Sequence, residues 1–203
     1  MTAAADIFPP DYGSFAALVF DCDGTLADTM PAHFVAWSET TRRYGLELPE
    51  ARFYELGGVP AHRIMALLAR EQGVAIDALA AAHEKELAFE RHLDSVQPIE
   101  PVVAIARQYR GKLPMAVATG GMRRIVERCL MNLGMADWFD ALVSAEDVEH
   151  HKPAPDTYLL AAQRLHVHPA HCCAFEDTDL GLAAARAAGM TAVDIRRLLG
   201  PSA

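Results

Sequence analysis

Nowhere in the 203 residues do about 18 apolar residues run together, which excludes a membrane-spanning helix. Positive charge is also short: 18 Lys and Arg stand against 27 Asp and Glu, and the net charge of −9 argues against nucleic acid or anionic membranes as partners. Cysteine is scarce. Cys22, Cys129, Cys172 and Cys173 show no metal-ligand spacing, and the adjacent pair sits in an apolar run, as expected of buried free thiols in a reducing compartment. No basic segment followed by an apolar one opens the chain, so Met1 to Tyr12 reads as a loose arm rather than a secretory signal. A cytoplasmic protein is expected. Internal repeats and low-complexity tracts are absent.

What is present is an apolar fraction of 52%, ample for a packed interior, with 22% charged residues. The length suits one domain, or a core with a smaller insertion. The most informative stretch is Leu18-Val19-Phe20-Asp21-Cys22-Asp23-Gly24-Thr25-Leu26. Its apolar start reads as a buried strand, and alternation would set Asp21 and Asp23 on one side at the strand's C-terminal end. In open α/β sheets that end is where ligands bind. Gly24 allows a sharp turn, and two crowded carboxylates call for a cation or a shared proton between them.

After this strand the pattern is helical. Asp28-Thr29 before Pro31 marks a helix start, with Phe34, Trp37, Thr41 and Tyr44 at helical spacing. Further helices are predicted over Ala61 to Gln72, stopped by Gly73, and from Asp77 to about Leu93. Residues 29–99 thus read as a helical insertion with no strand. From residue 100 on, strands at 113–118, 141–144, 172–175 and 191–195 alternate with helices. That alternation predicts an α/β fold, a Rossmann-like parallel sheet built from residues 1–28 and 100–203 with the helical unit 29–99 inserted. Right-handed crossovers then bring every strand's C-terminal end to one edge.

Three more of those ends carry chemistry-capable residues. Thr119-Gly120-Gly121 offers a hydroxyl and backbone amides at a helix start, suited to a phosphate oxygen. In Lys152-Pro153-Ala154-Pro155-Asp156 the prolines stiffen the chain behind a cation. The fourth strand runs into Glu176-Asp177-Thr178-Asp179, acids at a helix N-terminus that alone would be simple caps.

Asp-x-Asp, Thr, Lys-Pro and Glu-Asp, in that order over nearly the whole chain, resemble the four motifs of the haloacid dehalogenase superfamily. The strings 150–157 (His-His-Lys-Pro-Ala-Pro-Asp-Thr) and 184–190 (Ala-Ala-Arg-Ala-Ala-Gly-Met) are similar to its beta-phosphoglucomutase-like subgroup, and within it to bacterial phosphatases of fructose 1-phosphate and 6-phosphogluconate. The resemblance implies a phosphatase with Asp21 as nucleophile and Asp23 as acid/base. It implies Mg²⁺ held by Asp21, the backbone carbonyl of Asp23, Glu176 and Asp177. Thr119, Gly120 and Lys152 would hold the phosphate oxygens. The helical unit would be a cap, in which His33 and Lys85 match substrate-facing residues of the mutases. One departure stands out: the mutases carry an arginine for the sugar's second phosphate in the register of Ala61, and Arg63 is the nearest substitute.

The expected activity is therefore Mg²⁺-dependent hydrolysis of a small phosphorylated sugar or sugar acid by a monomer. A mutase is the rival. A phospho-receiver signalling domain is the non-enzyme alternative, opposed by Asp23, which would destroy an aspartyl-phosphate, and by the helical insertion.

Overall fold

Strand β1 (Ala17–Phe20) is buried along its whole length and lies at the centre of a parallel sheet. The computed structural model describes residues 11–57 and 59–199. β1 pairs with β4 (Met115–Ala118) on one side, Val19 against Ala116, and with β6 (Cys172–Glu176) on the other, Val19 against Ala174. β5 (Ala141–Val143) and β7 (Thr191–Asp194) complete the order β5-β4-β1-β6-β7. Both faces are covered, so the central strands are apolar without interruption.

Alternation assigns each face its own core. Leu18, Phe20, Val117 and Phe175 meet α5 (Glu100–Tyr109) and α6 (Arg123–Asn132), and Phe20 stacks on Phe175 with ring centres 4.7 Å apart. Ala17, Val19, Ala116 and Ala174 meet α7 (Asp156–Arg164) and α8 (Asp179–Ala187). The small residues on that face let those helices pack close. All four cysteines are buried and free.

Among the described residues, four α-helices stand between β1 and α5: α1 (Met30–Arg43), α2 (Glu50–Glu55), α3 (Ala61–Gln72) and α4 (Ala78–His92). Asp77 caps α4 by accepting from the amides of Leu79 and Ala80 at 3.0 Å, and Gly73 ends α3 in the left-handed region at φ 68°. The four share an apolar cluster that includes Trp37, Phe53, Met65 and Leu68. The prediction of no strand over residues 29–99 is corrected at Gln97–Pro98, which forms half of a short antiparallel pair. β2 (Ala27–Asp28) and β3 (Gln97–Pro98) join where the chain leaves and re-enters the sheet unit. Two-residue strands are too short to show a sequence period. α2 also escaped prediction, having too few turns for a clear apolar stripe.

Two further expectations change. β1 stops at Phe20 rather than continuing through the acids. Beyond it the Cys22 carbonyl accepts from the amides of Thr25, Leu26 and Ala27 at 3.0–3.2 Å, which folds residues 21–27 into a turn. The predicted loose arm falls mostly on residues 1–10, outside the described residues, as does Gly58. Its end is docked: Tyr12 lies edge-on to Phe175 at 5.0 Å, and Tyr109 donates to Asp11 at 2.7 Å. Among the described residues no helix is long and apolar enough to cross a membrane.

Candidate active site

The parallel sheet delivers four motifs to one edge. Asp21 follows β1, Thr119 follows β4, Glu176 ends β6, and Lys152 arrives on the loop after β5. Lys152 Nζ donates to Asp21 Oδ1 at 2.6 Å, to Glu176 Oε1 at 2.6 Å and to the Ala118 carbonyl at 3.1 Å. All three ammonium hydrogens are thereby used. Asp21, Glu176 and Asp177 offer carboxylate oxygens that lie within 4.8 Å of one another.

Glu176 is the most constrained of the three. Oε1 also accepts from the Tyr158 hydroxyl at 3.1 Å, while Oε2 accepts from the amides of Asp177 and Thr178 and from the Thr178 hydroxyl, each at 3.0 Å. Its carboxylate lies directly over Gly181, where an added Cβ would sit 1.7 Å from Oε1. Gly24 plays a similar part for Asp177: at φ +80° and with an added Cβ only 2.3 Å from Asp177 Oδ2, it admits no side chain. Thr25 Oγ1 donates to Asp177 Oδ1 at 3.0 Å and so ties the turn to the cluster. Sequence reasoning missed Tyr158 and Gly181. Tyr158 carries no local signal, whereas Gly181, a glycine in the first turn of a helix beside the Glu-Asp pair, was the available hint.

Charge balance sets the chemistry. Burial pushes the Asp21 carboxyl well up, reinforced by Glu176 and Asp177 and opposed by Lys152. Burial and the Glu176 charge likewise push Asp177 up to about 6. Burial works against the Lys152 ammonium, yet Asp21, Tyr158 and Glu176 together hold its pKa well above the ordinary lysine range. Three carboxylates thus share one ammonium. An all-oxygen donor set with surplus negative charge fits a hard divalent cation such as Mg²⁺, which would hold the acids ionised.

Asp23 lies in the same turn, two residues beyond Asp21. Burial raises its pKa, while the Thr29 hydroxyl, Lys85 and Lys152 lower it and Glu86 raises it. A carboxyl that keeps its proton more readily than usual suits a general acid. Thr119 is 1% exposed, and its hydroxyl accepts from the Gly121 amide at 3.0 Å. An added Cβ on Gly121 would lie 3.1 Å from Asp23 Oδ2 and 3.3 Å from Thr119 Oγ1, so these three residues are neighbours. Gly120 is exposed with open space around its α-carbon.

Of the predicted residues on the helical unit, two come together and one does not. Lys85 Nζ lies 2.9 Å from His33 Nδ1, and an ammonium can only donate, so Nε2 of His33 carries the ring hydrogen. Burial and the Lys85 charge hold His33 well below the usual histidine range, which leaves it neutral. Its ring stacks on Phe89 at 3.6 Å. Arg63 is exposed on α3 and has no side-chain partner among the described residues.

A family profile described as haloacid dehalogenase-like hydrolase matches residues 15–189. The fructose-1-phosphate phosphatase YqaB of Escherichia coli is 46% identical over 92% of this chain and 100% of its own length. A phosphorylated carbohydrates phosphatase of Thermotoga maritima is 31% identical over 86% of this chain and 82% of its own. Among solved structures, CbbY of Rhodobacter sphaeroides in complex with phosphate superposes with a TM-score of 0.77 at 26% identity, covering 88% of this chain and 84% of that one.

Proposed function

Since this chain belongs to the haloacid dehalogenase-like hydrolases, we propose that it is a phosphatase of small phosphorylated sugars that works through Asp21 as nucleophile. The observation that carries the reading is the strand-end cluster, in which Lys152 reaches Asp21 at 2.6 Å while Glu176 and Asp177 crowd the same carboxylate. The similarity to phosphatases of phosphorylated sugars supports the substrate class.

In this mechanism an Asp21 carboxylate oxygen attacks phosphorus, the bond to the sugar oxygen breaks, and Asp23 hands its proton to that oxygen. Asp23 then takes a proton from water as the water attacks the aspartyl-phosphate, which releases phosphate and restores Asp21. Lys152 stays anchored on Glu176 and turns from Asp21 toward an equatorial phosphate oxygen, with the Thr119 hydroxyl on another. Helices α1 to α4 act as a cap that excludes water until substrate is seated. Asp21, Asp177, Glu176 and the backbone carbonyl of Asp23 would hold Mg²⁺, which when bound supplies positive charge against the crowded carboxylates and the phosphate.

The direct test is free phosphate released from a panel of sugar phosphates in the presence of Mg²⁺. Excess EDTA is expected to abolish release, and restored Mg²⁺ to recover it. Because the Glu176 oxygens already accept five hydrogen bonds, Asp177→Ala should raise the Mg²⁺ concentration for half-maximal rate more than Glu176→Ala does. Full activity in EDTA would contradict the metal assignment.

Hydrolysis is expected to outrun isomerisation. A mutase must grip a second phosphate while a bisphosphate reorients, and the Ala61 side chain offers it neither a charge nor a donor. Loss of such a charge-assisted contact costs about 1.5–3 kcal/mol, roughly a factor of ten to a hundred in grip. With β-glucose 1-phosphate and its bisphosphate primer, phosphate should appear faster than glucose 6-phosphate. The reverse order would make the protein a mutase and Arg63 the residue to test next.

A further inference from the structure

A clasp centred on Asp147 holds the loop between β5 and Lys152. Asp147 Oδ2 accepts from the Ser144 amide and hydroxyl, both at 2.7 Å, and from Arg123 Nη2 at 2.5 Å, while Oδ1 accepts from Arg164 Nη2 at 2.7 Å. The same two arginines donate to the Leu142 carbonyl, at 3.2 and 2.5 Å. That carbonyl faces away from the sheet. β5 is an edge strand, carbonyls alternate in direction along a strand, and the inward place is taken by Val143, which accepts from the Thr119 amide at 2.9 Å. Arg123, at the start of α6, and Arg164, at the end of α7, thus pin the end of β5 to helices on opposite faces of the sheet.

The clasp leads to the phosphate-holding loop. Ala145, between Ser144 and Asp147, donates its amide to the Gly121 carbonyl at 3.0 Å, and the Glu146 carboxylate accepts from the Arg123 amide at 3.1 and 3.2 Å. The Gly121 amide in turn donates to Thr119 Oγ1 at 3.0 Å, which leaves the hydroxyl its own hydrogen for a phosphate oxygen. One run of bonds therefore joins Asp147, the 144–147 turn, Gly121 and the Thr119 hydroxyl. Lys152 follows on the same loop.

We propose that Asp147 is a positioning residue for phosphoryl transfer. By fixing the 144–147 turn against Gly121, it sets the Thr119 hydroxyl and the Lys152 ammonium at the separation that the transferring group needs. The proposal rests on the phosphatase reading and deepens it. Hydroxyl and ammonium arrive on separate loops, one after β4 and one after β5. The clasp carries the register of those strands past their last paired residues and into both loops. Charge that spreads over the equatorial oxygens is stabilised best by donors already in place, and a misplacement of about 1 Å costs up to about a hundredfold in rate.

The experiment compares the wild type with Asp147→Asn and Arg164→Met at one saturating Mg²⁺ concentration. It reads kcat and KM for a sugar phosphate and the inhibition constant of orthovanadate, whose five-coordinate form mimics the phosphoryl group in transfer. Asparagine keeps the shape of the aspartate but loses its charge and one accepting oxygen. It should lower kcat about tenfold, leave KM within about threefold, and weaken vanadate about tenfold. Arg164→Met, at a half-buried position on α7, should move kcat and vanadate the same way by about threefold. An inhibition constant does not depend on how much of the protein is active, so a merely structural loss would leave it unchanged. If Asp147→Asn does not fold, Arg164→Met decides. Vanadate inhibition within about twofold of wild type in the folded variants overturns the positioning role and leaves the phosphatase reading in place. A wild type that releases phosphate from no sugar phosphate tried overturns both.

Discussion

Asp21→Asn is expected to lower turnover by at least about a thousandfold while the protein stays folded, the scale seen when an essential nucleophile is removed. The amide is nearly isosteric with the carboxylate but is far too weak a nucleophile toward phosphorus. Stability should change little in direction or size, because the substitution also relieves repulsion. Burial, Glu176 and Asp177 all push the Asp21 carboxyl toward its neutral form, so a neutral side chain there removes a conflict as well as an ion pair with Lys152. The measurement is phosphate release from a sugar phosphate, with the melting temperature as a check on folding. A folded variant that keeps a tenth of wild-type turnover would remove Asp21 from the nucleophile's role.

The second large effect is expected at a residue that touches no substrate. Gly181→Ala should cut turnover by about a hundredfold and lower stability, although helix propensity alone would favour alanine by up to about 1 kcal/mol. The clash decides the sign. An added Cβ would lie 1.7 Å from Glu176 Oε1, 1.9 Å from its Cδ and 2.3 Å from Oε2, so the carboxylate must leave its place. Leaving breaks the bonds from Lys152 and Tyr158 and strands a buried charge, which costs several kcal/mol unless the group finds new partners. Lys152 then loses its anchor beside Asp21. The rate is read as kcat and KM together, since a displaced lysine should weaken transition-state stabilisation more than ground-state binding. An alanine variant with normal kcat and a raised melting temperature would show that Glu176 is not held as described.

Local patterns account for much of the architecture. The α3 helix begins and ends where predicted, because an amphipathic run followed by glycine has few other options. The four strand-end motifs were legible for a related reason: each pairs an apolar run with polar residues, and a parallel sheet gathers those ends at one edge. The pattern therefore determined that Asp21, Thr119, Lys152 and Glu176 would come to the same edge of the sheet.

How they meet was decided by the tertiary structure. Asp21 and Lys152 are 131 positions apart, and their 2.6 Å contact depends on β5 lying next to β4 and β4 next to β1. Tyr158 became a partner of Glu176 only because α7 packs against the same face of the sheet. The role of Gly181 follows from a carboxylate folded back over the first turn of α8, a shape no spacing encodes. Predicted together on the helical unit, His33 and Lys85 do touch, while Arg63 stays in solvent on α3. Sequence periodicity determines which face of an element is buried and which strand ends carry acids, hydroxyls and cations. Distances, shared protons and the surplus charge among three carboxylates arise only when separate elements close around one volume, because side-chain contact between them is set by packing and not by order along the chain.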